Sequence, residues 1–364
     1  RPGGRFARTG KDLGEAEALC CGLPLPGART GATASQSSSN LPPPRDRHNR
    51  AADEAGQSQL RGVRTSRGEV SGVLKRMPRN SIAVMNTKGG VGKSTLVLAL
   101  AETLSAYHKK NVLVIDSDAQ ASVSSMLTSV ANLHRLQSEG LTIVDYLVSR
   151  VLQGGTPDWS SVVIRDVGDV DDARTVYLIP SDMQLTLFER EVSKEGLHAR
   201  LRTAIAQLLE EVRSVFDVVL IDCPPGLSVL TECWLRETDF HVSPTKADYV
   251  SVCGLDVFRR FKALNPEMVF AQNLGVIVNM KDPTSLTEAE YHRWLNENPE
   301  NYCFNGFVPR SQALQDAARF RTEDRSYFAK YPGHVGEAVR ALAEELLQRM
   351  AANATMAAQE TTAA

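Results

Sequence analysis

The chain has 364 residues, 42% hydrophobic and 23% charged, which suits a soluble globular protein of one large or two ordinary domains. No apolar run nears the roughly 20 residues of a membrane-spanning helix, and no uninterrupted apolar core marks a secretory signal. Six cysteines, at 20, 21, 223, 233, 253 and 303, show no C-x-x-C spacing, which argues against a zinc site or an iron–sulfur cluster and suits a reducing cytoplasm.

The net charge of −2 conceals an asymmetry. Residues 1–76 hold 13 Lys/Arg against 7 Asp/Glu, and the remainder 28 against 36, about −8. An acidic folded part binds nucleic acid only through a local basic face. Residues 1–76 are rich in Gly, Pro, Ser and Arg and lack helical or strand periodicity, so a disordered extension is expected there. A solvated tail is the plainer reading and a basic DNA-binding arm the other. The chain starts with Arg, and its first methionine is Met77. The stretch therefore also reads as mis-annotated upstream sequence, with the protein starting at or near Met77.

From residue 80 the character changes. "SIAVMN", "NVLVID", "TVYLIP", "FDVVLID", "DFHVSP" and "NLGVIVNM" are short apolar runs without alternation, and "YCFNGFVP" near 302–309 is a further candidate. Such runs suit strands buried on both faces of a parallel sheet. Helical stretches at 94–107, 195–213, 227–236, 249–264 and 334–350 separate or follow them. The rhythm predicts a doubly wound α/β domain over 77–350, a mostly parallel sheet flanked by helices, with a flexible tail at 351–364.

The first strand, 81–86, runs into "TKGGVGKST". Gly89, Gly90 and Gly92 let the loop turn back and aim backbone N–H groups at phosphate oxygens, and the helix dipole adds attraction. In that arrangement Lys93 reaches the β/γ-phosphates, Ser94 ligates Mg²⁺ and Thr95 touches the α-phosphate. A plain tight turn needs neither Lys93 nor Ser94. Lys88 is harder to place. Within one subunit a second ammonium has little purpose, but between two subunits packed face to face it reaches the other's phosphates.

The segment "KGGVGKST" resembles the deviant phosphate loop of the ParA/MinD ATPase family, with Lys88 in the place of the family's signature lysine. The resemblance covers about residues 80–350, in the right motif order. It implies a P-loop fold that binds ATP and Mg²⁺ through Lys88, Gly89, Gly90, Val91, Gly92, Lys93, Ser94 and Thr95, and an ATP-dependent homodimer. "VLVIDSDAQAS" is similar to the family's D-x-D-x-Q segment. By that match Asp116 and Asp118 position the attacking water and Mg²⁺, with Gln120 in the first switch, and Lys88 and Lys93 complete the catalytic set. Ala119 stands where the family usually has Pro. "FDVVLIDCPPGLS" places Asp222 as a Mg²⁺–water ligand beside Ser94 and Asp116, followed by a second switch at Pro224, Pro225 and Gly226; Cys223 reads as packing. Asn279 at the end of "GVIVNM" has an amide suited to adenine's edge, and Pro309 and Arg310 resemble the loop that flanks the base.

"GLDVFRRFKAL" sets Arg259, Arg260 and Lys262 on one helix. Non-specific DNA binding to phosphates is one expectation there, and a solvated basic face the other. The resemblance further implies a ParB-like or adaptor partner that stimulates hydrolysis, no membrane contact, and a cytoplasmic, nucleoid-associated protein. A MinD-like membrane-surface ATPase is the nearest rival, set back by a C-terminus without basic amphipathic character. A nucleotide-binding switch with little turnover is the rival of a different class.

Overall fold

The computed structural model describes residues 79–363, with side chains described as far as 353. The expectations for residues 1–76 lie outside the described residues.

Seven strands form one sheet: β1 (Ser81–Val84), β2 (Val112–Asp116), β3 (Val176–Ile179), β4 (Val218–Asp222), β5 (Phe240–Thr245), β6 (Gln272–Lys281) and β7 (Phe307–Pro309). Their order is β3-β2-β4-β1-β5-β6-β7, and every pairing is parallel. Alternate side chains go to opposite faces. Ile82 and Val84 of β1 join one core with Val112, Val114, Val218 and Leu220, while Ala83 and Met85 join the other with Leu113, Ile115, Val219 and Ile221. Both faces are covered, which is why the strands read as unbroken apolar runs.

One face is covered by α1 (Lys93–His108), α2 (Ser122–Leu127) and, later in the chain, α10 (Gln312–Ala317), α11 (Tyr327–Lys330) and α12 (Gly333–Ala363). Between α2 and β3 lie α3 (Val130–Ser138) and α4 (Ile143–Leu147). The opposite face is covered by α4, α5 (Leu185–Lys194), α6 (His198–Arg213), α7 (Val229–Glu237) and α8 (Tyr249–Leu264), and α9 (Leu286–Glu297) packs beside β6. The doubly wound α/β expectation is met.

Several boundaries differ from the sequence reading, each for a local reason. The helix expected over 195–213 starts only at His198, because Gly196 adopts a left-handed φ of 65° and separates it from α5, a helix the periodicity did not show. The strand expected over 302–309 shrinks to three residues, because the chain first turns through Tyr302, φ 46°. The helix expected to stop at 350 continues as backbone to Ala363. Short helices missed from periodicity are set by caps: Ser129 Oγ accepts from Asn132 N–H, and Thr142 and Asp145 form a capping box.

A charged cluster is buried between α1 and the C-terminal segment. Lys330 Nζ donates to Glu102 Oε1 at 2.7 Å and to Asp169 Oδ1 at 2.6 Å. Tyr331 Oη donates to Glu102 Oε2, and Arg325 pairs with Asp169 at 2.9 Å. The phosphate-loop helix is thereby anchored nine residues beyond Lys93.

Candidate phosphate-binding site

β1 delivers the chain to Asn86 at the C-terminal edge of the sheet, where open α/β sheets bind ligands. The next six residues turn back into α1. Gly92, the residue before the helix, has φ 83°, and a Cβ there would lie 2.5 Å from Asn279 Nδ2. Glycine is thus required both by backbone and by space. Above Gly89 and Gly90 the opposite holds: no atom lies within 4 Å of where a Cβ would sit. The first turn of α1 leaves N–H groups without intrahelical partners, and the helix dipole makes that end positive. An open, N–H-lined concavity of this kind takes an anion such as a phosphate.

Lys93 opens α1 and is 8% exposed, with its Nζ 3.4 Å from Lys88 O. Burial lowers its pKa, against the pull of Asp222, Cys223 and Asp118. Asp222, at the end of β4, is fully buried, and neither carboxylate oxygen has a hydrogen-bond partner. Burial raises its pKa well above the usual carboxylate range and Asp116 adds to the rise; Ser94 and Lys93 oppose it. The Ser94 hydroxyl approaches Asp222 without reaching full hydrogen-bond geometry. Desolvation therefore outweighs the attraction between Lys93 and Asp222 on both sides. Phosphate oxygens on Lys93 and a hydrated cation against Asp222 and Ser94 would complete both groups. The orphaned carboxylate beside a hydroxyl fits Mg²⁺, a hard cation that keeps its waters and shares phosphate oxygens.

Asp116 sits beside Asp222 across the β2–β4 pair. Its carboxylate is also held by the turn that follows it. Its Oδ2 accepts from Ser124 N–H at 2.9 Å and Ser124 Oγ at 2.6 Å, and its Oδ1 accepts from Asp118 N–H at 3.1 Å. Burial, its largest influence, pushes its carboxyl up to about 6. The strand ends at Asp116 and the chain turns after it, with Ala121 at φ 50°, yet Asp118 stays within electrostatic reach of Lys93 and Asp222. Asp118 is left half-exposed, its Oδ1 accepting from Gln120 N–H.

Lys88 stands on the strand side of the loop. Its N–H donates to Asn86 Oδ1 at 2.9 Å, and Asn86 Nδ2 donates to Pro244 O at 2.7 Å. Among the described residues its ammonium makes no hydrogen bond or ion pair.

These features meet in what the chain resembles. The AAA domain family profile matches residues 79–269. The chromosome partitioning protein ParA of Caulobacter vibrioides is 28% identical over 279 residues, covering 75% of this chain and 95% of that one. A putative plasmid partition protein of Borrelia burgdorferi bound to AMPPNP superposes with a TM-score of 0.57, at 23% identity over 75% of this chain and 100% of the other. The structure of pNOB8 ParA bound to nonspecific DNA gives 0.55, at 20% identity over 74% and 98%. The chain belongs to the ParA/MinD family of P-loop ATPases.

Within the ParA/MinD frame, Asn279 holds a surprise. Its Nδ2 donates to Val91 O at 2.8 Å and its Oδ1 accepts from Met280 N–H, so the amide expected at a base edge also carries a bond to the phosphate loop. Met280 beside it is held at φ 55°. Arg310 is exposed and pairs with Glu288 at 3.2 Å, while Pro309 is buried in register with Lys281. Both stand at the end of β7, beside the last residues of β6, two of which follow Asn279.

The basic triplet on α8 is not uniformly exposed. Arg259 is taken up by Asp256 at 2.6 Å, Glu300 at 3.6 Å and Asn301. Lys262 folds back over the Phe258 ring at 5.1 Å, and burial lowers its pKa. Arg260 alone of the three is exposed. Periodicity places residues on a helix but does not reveal Glu300 and Asn301, which follow the end of α9.

Other residues at the site escaped the sequence reading. Trp234 of α7 is fully buried, and its Nε1–H donates at 2.6 Å to Ser117, between the two aspartates. This bond ties the segment after β2 to the helix after the Pro-Pro-Gly turn. A lone Trp in an amphipathic helix gives no sign of such a partner. Ser124, which secures Asp116, is equally silent in sequence.

Proposed function

We propose that the protein hydrolyses ATP to ADP and phosphate with Mg²⁺, as a ParA-type ATPase that dimerises on ATP and moves a cargo over DNA. The observation that carries this reading is a buried lysine, Lys93, near a buried carboxylate without a partner, Asp222, beneath an open glycine loop, with a second, unengaged lysine on the loop's outer side. Lys93 and the N–H groups of Gly89, Gly90, Val91, Gly92, Ser94 and Thr95 bind and orient the phosphates. Ser94 and Asp222 would hold Mg²⁺, which supplies neutralisation of charge on the transferring phosphoryl group. Asp118, half-exposed, orients the attacking water, and Asp116 fixes the turn that carries it. Lys88 reaches the nucleotide of a second copy and offsets charge that develops there. Catalysis of this kind rests on positioning and electrostatics.

The ParA relative's partitioning name supports a segregation role, with a chromosome, plasmid or protein assembly as cargo. The DNA complex of a neighbour in fold supports non-specific DNA as the track. A ParB-like or adaptor protein would stimulate turnover, and the setting would be the nucleoid in the cytoplasm. Among the described residues no helix is long and apolar enough to cross a membrane. Steady-state phosphate release, with and without DNA, tests the reading, with Lys93→Ala as control. Turnover that is Mg²⁺-dependent and lost in the control supports it. Tight ATP binding with no phosphate release under any condition would make the protein a nucleotide switch instead.

A further inference from the structure

Helix α8 meets the phosphate loop at a single glycine. Gly254 is buried in the interior of this 16-residue helix, where glycine is the poorest helix former after proline. Its φ is not left-handed, so the backbone does not demand glycine there. The space does. A Cβ on Gly254 would stand 2.7 Å from Lys88 Cγ, 3.0 Å from Asn86 Oδ1 and 3.0 Å from Thr87 Oγ1. Three consecutive loop residues thus lie against the missing side chain. Thr87 Oγ1 also donates to Gly254 O at 2.7 Å, which fastens the loop to the helix at the point of closest approach. The neighbours have little room to yield, because Asn86 is held by Pro244 O and by Lys88 N–H.

We propose that Gly254 and Thr87 are positioning residues for Lys88: the missing side chain of α8 is the channel along which the Lys88 stem leaves the loop. The contact sets the reach of the ammonium from the side-chain side of Lys88, while Lys93 Nζ meets the same residue only at its backbone O, 3.4 Å away. The proposal rests on the reading that Lys88 acts on a second copy's nucleotide.

Its test is a double-mutant cycle in the full chain between Gly254→Ala and Lys88→Ala, read in turnover at saturating MgATP, in affinity for a fluorescent ATP analogue, and in melting temperature. Gly254→Ala alone should lower turnover tenfold or more while changing nucleotide affinity less than twofold. In the Lys88→Ala background the same substitution should change turnover less than twofold, because residues acting through one group are not additive. Its melting-temperature penalty should shrink there too, since Lys88 Cγ is gone. Thr87→Val, which adds no bulk, serves if Gly254→Ala does not fold, and should show the same non-additivity. Equal effects of either substitution in both backgrounds would overturn the proposal, as would undiminished turnover in Gly254→Ala. If Lys88→Ala itself turns over ATP like the parent, the earlier reading of Lys88 fails instead. The melting cycle, independent of activity, still separates a real contact from a wrong one.

Discussion

Two lysines five residues apart in one loop have different surroundings. Lys93 is buried beside a carboxylate, and Lys88 is half-exposed with its ammonium unengaged. Lys93→Ala should therefore lower ATP affinity at least a hundredfold, because it removes the one cation buried in the cradle. Lys88→Ala should leave the affinity of a dilute, monomeric sample within about threefold, and lower ATP-dependent dimerisation or turnover. Isothermal titration and sedimentation with ATP separate these effects, and equal loss of affinity in both variants would end the division of labour. Asn279 allows a second comparison. If its amide serves as a latch on Val91 O, Asn279→Ala should weaken ATP and GTP binding by the same factor. A loss confined to ATP would return Asn279 to the adenine edge.

At the scale of the element, α1 is held at one end by its ligand loop and in its middle by a buried ion cluster. Removing one member of such a cluster leaves its partners charged and desolvated. Lys330→Ala should cost about 3–5 kcal/mol, seen as a lower urea midpoint with an unchanged slope; a loss under about 1 kcal/mol would show that the cluster relaxes. β5 carries a pH-sensitive group under α8. His241 is fully enclosed, edge-on to Phe258, with its Nδ1–H donating to Ala271 O at 2.9 Å. Burial, and then Lys262, lower its pKa to about 4. Its folded pKa lies below its unfolded one, so its contribution is whole above about pH 6.5 and is lost as pH falls towards 4, to roughly 3 kcal/mol. His241→Gln should flatten the acid side of the stability profile relative to the parent between those values. Parallel profiles would remove His241 from the account.

For the whole molecule, the DNA binding proposed above would need a local basic surface on an acidic fold, and α8 offers less of one than its sequence promises. Arg259 is held by Asp256 and Glu300, so Arg259→Gln should lower the melting temperature more than it weakens DNA binding. Arg260 is exposed, and Arg260→Glu should weaken binding to every sequence alike. For every phosphate that is no longer neutralised, the log–log salt slope should fall by about 0.9. The effect should appear only with ATP, when two copies bring two basic surfaces to one duplex. A salt slope unchanged in Arg260→Glu would place the DNA surface elsewhere.

The sequence by itself determined the architecture and the phosphate loop, because both rest on local signals. Apolar runs without alternation specify buried parallel strands, and three glycines before Lys93 and Ser94 specify a cradle at a helix start. Relations between distant segments were decided only by the tertiary structure. Asp116 and Asp118 look alike in sequence, yet one is buried and held by Ser124 while the other is half-exposed, because the strand ends between them. Asn279 meets Val91 across 188 positions, and Gly254 makes room for Lys88 across 166. No periodicity encodes those meetings. They follow from the order in which the sheet stacks its strands, which brings the ends of β1, β5 and β6 to one edge, where burial and hydrogen bonding choose a different task for each polar side chain.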